Sequence, residues 1–189
     1  MTPPAHLQND AARSASAAKV AFCGIWPALL TPLNADLSID HSRLVAHCKT
    51  LLASGCNGVT PFGTTGEGPS FSMAERKHTL DQLIKNGVPA AQIMVSTSCT
   101  ALPETLALTR HAVTSGVHGC LMLPPFFIKG VSDEGIIDCY RFVIDGMADA
   151  GLLNNLGLYL YHLPIEPERV DTEHRKRGHM LGHRLDVAA

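Results

Sequence analysis

Residues 58–68 read Gly58-Val59-Thr60-Pro61-Phe62-Gly63-Thr64-Thr65-Gly66-Glu67-Gly68, an apolar segment that runs directly into a loop of glycines and hydroxyl side chains. Glycine adopts positive φ angles without steric cost, so such a loop can turn successive backbone N–H groups toward one point. The hydroxyls of Thr64 and Thr65 add two further donors. The loop lacks the Gly-Lys-Ser/Thr ending of a P-loop and the glycine spacing of a dinucleotide-binding loop. We therefore expect a small anion, such as a carboxylate, to bind at the end of a strand.

Size and composition indicate a globular chain with one sizeable core. Of the 189 residues, 46% are hydrophobic and 17% are charged, which is typical of a folded domain rather than a disordered one. The net charge of −2 gives no reason to expect nucleic acid or an anionic membrane as a partner. No apolar run is long enough to span a bilayer. We expect a cytoplasmic protein.

Cysteines and histidines give no pattern that is typical of a metal site. The six cysteines are scattered without a Cys-x-x-Cys pair, and we expect them to be reduced core residues rather than a disulfide framework. His174, His179 and His183 follow one another closely, but they show no helical period and no pattern of carboxylates that could hydrogen-bond to metal-binding imidazoles. We expect no metal. Residues 1–20 are rich in Ala, Ser and Pro and are expected to form a disordered tail.

Five short apolar segments recur along the chain and alternate with helical patterns. Each segment is apolar on both faces, as in strands that helices cover on both sides; they are residues 24–31, 58–62, 92–96, 119–123 and 156–161. Helices are predicted to begin near Asp40, at Ser72 with capping-box spacing, around Pro103 and after Ser132. Strict alternation implies parallel strands joined by right-handed crossovers.

Two architectures fit this alternation: a doubly wound sheet and a (β/α)8 barrel. A complete barrel typically needs about 250 residues, and this chain supplies only five strand–helix units. The pattern alone therefore favours the doubly wound sheet.

Four motifs, taken together, resemble the dihydrodipicolinate synthase/N-acetylneuraminate lyase family of pyruvate-dependent aldolases. They occur in the expected order at residues Gly63–Glu67, Ser72–Arg76, Pro124–Phe127 and Tyr159–Pro164. The resemblance runs from about Ile25 to Pro164, and it defines an α/β barrel domain at residues 21–164.

The resemblance implies a (β/α)8 barrel, usually tetrameric, with its site at the C-terminal ends of the strands. In the family, a lysine on the sixth strand forms a Schiff base with the keto carbon of pyruvate, and no metal or organic cofactor is needed. The threonines of the Gly-Thr-Thr-Gly-Glu loop hold the pyruvate carboxylate; here they are Thr64 and Thr65. The tyrosine of the fifth strand relays protons and orients the keto acid; here it is Tyr161.

Two departures from the family are visible in the sequence. Phe126-Phe127 stands where dihydrodipicolinate synthases carry a tyrosine that completes a proton relay in the neighbouring subunit, which argues against assigning that particular reaction. After Pro164 the apolar periodicity is lost, and Lys176 is the only lysine that follows Lys129. Glu166 stands near the position where dihydrodipicolinate synthases carry an arginine on the substrate side. We expect residues 165–189 to be a disordered, non-family tail, the barrel to be cut off after about the fifth strand, and the Schiff-base lysine to be absent.

The predicted parent activity is therefore aldol addition, aldol cleavage or dehydration of 2-keto acids through a lysine–pyruvate Schiff base. This chain would retain Tyr161 and the carboxylate cradle, the name used here for the donors of Thr64 and Thr65, and would lack the nucleophilic lysine. The alternative is a non-catalytic fragment that binds a keto acid weakly or assembles with full-length homologous subunits. We interpret Tyr159 as a core residue and Lys129 as surface charge.

Overall fold

The computed structural model describes residues 23–161 and the backbone of residues 183–184. Four helices lie in this range: α1 (His41–Ala53), α2 (Met73–Lys85), α3 (Leu102–Thr114) and α4 (Asp133–Asp149). The regular strands are β1 (Met94–Ser96), β2 (Gly119–Met122), β3 (Leu158–Leu160) and β4 (His183–Arg184). The tail predicted at residues 1–20 lies outside the described residues, as does the tail at 165–189 apart from β4.

The helices begin where the sequence predicts. Asp40 caps α1 by accepting the N–H of Arg43 at 3.0 Å, and Ser72 and Glu75 form both bonds of a capping box at the start of α2. Such caps satisfy backbone donors that the first helical turn leaves without partners. Each helix is followed within two residues of its end by a glycine with positive φ: Gly55, Gly87, Gly116 and Gly151. All four helix predictions are confirmed.

The first two predicted strands are held by few backbone contacts. Ala28 forms a parallel bridge with Thr60, and Val59 forms a parallel bridge with Ile93. The Leu29 N–H donates to the Thr60 carbonyl at 3.0 Å, and the Thr60 N–H donates to the Pro27 carbonyl at 2.9 Å. The segments 24–31 and 58–62 therefore join the edge of the regular sheet as its first two members.

The strand order separates the two architectures that the sequence left open. β1 pairs in parallel with β2, and β2 pairs in parallel with β3, so all five segments are neighbours in their order along the chain. A doubly wound sheet reverses its strand order at a switch point, whereas a barrel adds each strand next to the one before. The preference for a doubly wound sheet that rested on pattern alone is wrong, and the arrangement is that of five consecutive units of a (β/α)8 barrel.

The core lies between the sheet and the helices. One face of the strands supplies buried apolar side chains that pack against the helices, and these include Leu29, Val59, Ile93, Val95, Cys120 and Leu158. Helices α3 and α4 pack against each other, as do α2 and α3. Because successive side chains of a strand point to opposite faces, the alternate residues are left to line the inner face of the barrel.

The outer edge of β3 is paired with β4 in the antiparallel direction. Tyr159 lies opposite Arg184, and Leu160 lies opposite His183. A sixth barrel strand would pair with this edge in parallel, so β4 differs in direction from the strand that a complete barrel places there.

The prediction that the cysteines are core residues holds for two of the six. Cys48 and Cys120 are fully buried, Cys23 is exposed, and Cys56, Cys99 and Cys139 are half-buried. Burial raises the pKa of the Cys48 thiol to about 11, so this side chain stays protonated at neutral pH.

Candidate functional site

The loop that follows the second segment has a constrained backbone. Phe62 and Glu67 adopt φ angles of 61° and 53°, which residues other than glycine seldom adopt. Gly68 lies so close to Phe62 that an added Cβ would be 2.0 Å from the Phe62 carbonyl oxygen. The Thr31 hydroxyl donates to the Gly66 carbonyl at 2.7 Å. Strained residues of this kind persist where the surroundings fix them, and they cluster at binding loops.

The constrained loop leaves donors available at its centre. The N–H groups of Gly66, Glu67 and Gly68 donate to carbonyls within the loop, at 3.1, 3.1 and 3.2 Å. In contrast, neither the N–H groups nor the hydroxyls of Thr64 and Thr65 donate to any residue in the described part of the chain, and both threonines are exposed. Adjacent amides and hydroxyls of this kind form a site for a small anion.

Thr64 and Thr65 line a cavity of about 490 Å³ on the inner face of the barrel. Tyr161, at the end of β3, lines the same cavity, and its N–H donates to the Met122 carbonyl at 2.9 Å. The structure thus brings the three predicted site residues to one cavity at the C-terminal ends of the strands. The inner wall comes from alternate strand residues: Trp26, Ala28, Thr60, Met94, Leu121 and Tyr159.

A buried pair of polar rings, Tyr159 and His118, lies beside this cavity, and Tyr159 forms part of the cavity wall. Tyr159 is buried, and its hydroxyl lies 3.0 Å from Nε2 of His118. The Trp26 ring also packs against His118, with the two ring centroids 4.6 Å apart. The prediction that Tyr159 is a core residue is confirmed, whereas no pattern in the sequence predicts its contact with His118.

Arg76 is a buried residue that sequence reasoning did not identify. It is 3% exposed, and its guanidinium donates to the Ser98 carbonyl at 2.9 Å and the Ser96 carbonyl at 2.6 Å. The Ser98 hydroxyl accepts the Leu123 N–H at 2.8 Å, which connects the ends of two neighbouring strands. Burial lowers the pKa of Arg76, while the nearby Cys99 favours the charged form. Arg76 therefore fixes the loop after β1 by hydrogen bonds.

The Phe126-Phe127 pair lies away from the cavity that Thr64 and Tyr161 line. Both phenylalanines line a separate apolar cavity of about 190 Å³, together with Leu102 and Val131. The Phe127 side chain is 79% exposed. Within the part of the chain that the structure describes, this pair makes no contribution to the candidate site.

The cavity wall contains no lysine among residues 23–161. Lys129 is exposed, as predicted for surface charge, and Lys19 and Lys176 lie outside the described residues. Over the same range, no cluster of histidine, cysteine and carboxylate side chains is arranged to hold a metal ion. None of the described helices has the length and apolar character that a membrane span requires.

The sequence model that describes the dihydrodipicolinate synthetase family matches residues 21–165 of this chain. A DapA-like lyase of Chloroflexus aurantiacus is 38% identical over 143 residues, which are 75% of this chain and 46% of that protein. A 4-hydroxy-tetrahydrodipicolinate synthase of Methanothrix thermoacetophila is 28% identical over 144 residues, 76% of this chain and 45% of that protein. The chain therefore spans about half the length of the curated relatives it matches.

Solved structures show the same similarity. The dihydrodipicolinate synthase of Agrobacterium tumefaciens superimposes with a TM-score of 0.69 at 29% identity, over 75% of this chain and 48% of that one. A prophage protein of the dihydrodipicolinic acid synthase family from E. coli K12, solved in complex with pyruvate, gives a TM-score of 0.67 at 27% identity. That match covers 76% of this chain and 46% of the E. coli protein.

Proposed function

The chain belongs to the dihydrodipicolinate synthetase family, and from this premise we propose that it binds a pyruvate-like 2-keto acid in the cavity that Thr64, Thr65 and Tyr161 line. One observation carries the proposal. The backbone N–H groups and hydroxyls of the two threonines have no partner in the described part of the chain, at the mouth of a cavity large enough for a small acid. The E. coli family member that was solved with pyruvate supports the choice of ligand.

The cradle suits a carboxylate for electrostatic reasons. A carboxylate offers two oxygens that each accept hydrogen bonds, and bonds to an ionised acceptor are shorter and stronger than neutral ones. The Thr64 and Thr65 amides and hydroxyls supply such donors from a loop whose conformation is already fixed. Because the loop is preorganised, little conformational entropy is lost when the anion binds.

Tyr161 is proposed to orient the keto end of the ligand and to relay protons. It lies at the end of β3, and a hydrogen bond from its N–H to Met122 fixes its backbone. Its side chain is half-buried in the wall of the cavity that also contains the threonines. A phenol can donate or accept a proton, which is the requirement for a residue that assists addition to a carbonyl.

The proposed parent activity is aldol addition, aldol cleavage or dehydration through a Schiff base. A neutral lysine amine attacks the keto carbon, water leaves, and the resulting iminium withdraws electrons from the neighbouring carbon. In this chain the four described lysines lie outside the cavity wall. We propose that the chain retains the residues that bind the keto acid and lacks the nucleophilic lysine. The tetramer and the cytoplasmic location expected from the sequence stay predictions.

Loss of the cradle hydroxyls is expected to weaken pyruvate binding. Thr64→Val and Thr65→Val keep the branched shape and remove one donor each, so each change should raise the Kd of pyruvate by about ten- to a hundredfold, the cost of a hydrogen bond to a charged group. Isothermal titration calorimetry measures the effect. Thr114→Val, an exposed change on α3 outside the cavity, is the matched control. Equal affinities in all four proteins would refute the cradle assignment.

Chemical trapping tests the absence of the nucleophile. After incubation of the chain with pyruvate and borohydride, we expect the intact mass to stay unchanged, because none of the lysines among residues 23–161 lines the cavity. A reduced pyruvate adduct that peptide mapping places on one lysine would show a working Schiff base and overturn this part of the proposal.

An alternative function is that of a non-catalytic partner of full-length homologous subunits. The first segment supports it, because Ile25 and Leu30 are 66% and 65% exposed where a barrel wall would continue. Large exposed apolar side chains at one edge are typical of surfaces that another chain covers. Copurification of the chain with a full-length homologue would favour this alternative, and turnover of a keto acid by the chain alone would refute it.

A further inference from the structure

Thr60 carries a buried hydroxyl without a hydrogen-bond partner. The residue lies on the second segment, is 4% exposed, and its Oγ1 atom makes no hydrogen bond in the described part of the chain. A buried hydroxyl that bonds to nothing destabilises the folded state, because it has lost its contacts with water. Such atoms are rare in folded proteins, and each one requires a physical explanation.

The position of Thr60 links this hydroxyl to the candidate site. Its backbone is fixed by the bridge to Ala28 and by the bonds to Pro27 and Leu29 described above. Thr60 lines the same cavity as Thr64 and Thr65. The side chains beside it are apolar, since Ala28 and Met94 line the cavity on either side. Thr60 is therefore the one hydroxyl that the second segment brings to the inner wall below the cradle.

The distance along the strand between Thr60 and the cradle suits a ligand that is two or three heavy atoms long. Thr60 precedes Phe62, where the backbone turns into the loop, by two residues, and a strand advances about 3.3 Å per residue. The cradle donors thus lie roughly 7 Å or more from Thr60 along the wall. A carboxylate held by the cradle would place its neighbouring keto oxygen between the two, within reach of one hydrogen bond of about 3 Å on each side.

We infer that Thr60 is a specificity-determining residue whose hydroxyl donates to the oxygen on the carbon next to the bound carboxylate, so that the site selects 2-keto acids over simple carboxylic acids. This inference rests on the proposed function. Rotation about χ1 exchanges the hydroxyl and methyl group of a threonine between neighbouring wells, so the donor can turn toward the ligand without movement of the backbone. Binding then removes the cost of the unpartnered hydroxyl, which adds to the preference for a ligand with an acceptor at this position.

The test compares pyruvate with propanoate, which has the same carboxylate and no keto oxygen. Thr60→Val preserves the branched shape and removes the hydroxyl. We expect its Kd for pyruvate to rise about five- to tenfold, the effect of one neutral hydrogen bond, while its Kd for propanoate stays unchanged. The melting temperature should not fall, because an apolar group replaces an unpartnered polar one. Thr60→Ser, which retains the hydroxyl, should bind pyruvate like the unchanged chain.

A second buried threonine provides the control for stability. Thr97 is 1% exposed, and its hydroxyl forms a hydrogen bond with the Thr109 hydroxyl at 3.0 Å. Thr97→Val should therefore lower the melting temperature, in contrast to Thr60→Val. Both proteins can be compared by calorimetry without a ligand, so this readout does not depend on binding.

The outcomes separate this inference from the proposed function. If Thr60→Val binds pyruvate as tightly as the unchanged chain while Thr64→Val binds it weakly, the cradle stands and the role of Thr60 is overturned. Equal weakening toward pyruvate and propanoate, or a lower melting temperature, would show a structural role and overturn it as well. If the unchanged chain binds neither acid, the proposed function fails and the inference fails with it.

Discussion

Gly68→Ala is expected to lower the free energy of unfolding by about 3 kcal/mol, the upper range for overpacking a tight site. The added Cβ would lie 2.0 Å from the Phe62 carbonyl oxygen and 2.8 Å from its carbonyl carbon. These are backbone atoms, which cannot rotate away as the end of a side chain can. Phe62 is already in a left-handed conformation, so the loop has little freedom to adjust. Pyruvate binding should be lost because the cradle begins at Thr64, two residues after Phe62.

Gly63→Ala is the matched control for the loop. A Cβ at Gly63 meets no atom within 4 Å, and its φ is outside the left-handed range. Its free energy of unfolding should stay within about 0.5 kcal/mol of the unchanged chain, as for most substitutions without steric conflict. Urea unfolding followed by circular dichroism measures both proteins. If Gly68→Ala were as stable as Gly63→Ala, the described loop conformation would be wrong.

Arg76→Met is expected to lower the free energy of unfolding by about 3 kcal/mol, the cost of leaving two buried acceptors without their donor. The methionine fills much of the space of the arginine stem, so the loss reports mainly on the hydrogen bonds to Ser96 and Ser98. The loop after β1 should also become more mobile, and amide hydrogen exchange should accelerate at Cys99 and Leu123. Chemical denaturation and hydrogen exchange measure the two effects.

Arg43→Met provides the comparison for the loss of a charge. The Arg43 side chain is 73% exposed and pairs with Asp40 at the start of α1. An exposed ion pair contributes at most about 1 kcal/mol, so this protein should be nearly as stable as the unchanged chain. Should Arg76→Met prove equally stable, the buried network would make no net contribution and the account of the loop after β1 would need revision.

The sequence predicted the helices well because their signals are local. Asp40, Ser72 and Ser132 precede apolar periodic stretches, and a capping residue acts on donors two or three positions away. The order of the strands in the sheet was harder to predict from the sequence. Whether consecutive strands stay neighbours or switch sides depends on contacts between distant segments, such as the bridge of Ala28 to Thr60. The pattern alone accordingly favoured the wrong architecture, and the family resemblance gave the correct one.

The candidate site was predicted in part. Thr64 and Thr65 were predicted from the loop pattern and from the resemblance, and Tyr161 from the resemblance alone. The structure places all three around one cavity. Arg76 and Thr60 were missed for different physical reasons. Arg76 looks like an ordinary charged residue after a capping box, and its burial depends on carbonyls 20 and 22 residues away. Thr60 looks like a strand residue, and only the three-dimensional structure shows that its hydroxyl is buried without a partner.

The most direct test of the carboxylate cradle is a pyruvate titration of the chain with isotopically labelled threonine, followed by two-dimensional NMR. The amide signals of Thr64 and Thr65 should shift more than all others and saturate together, since their N–H groups bind the carboxylate. The signals of Thr50 and Thr114, on the outer helices, should stay in place. Saturable shifts at other threonines with none at Thr64 and Thr65, or no shifts at any threonine, would contradict it.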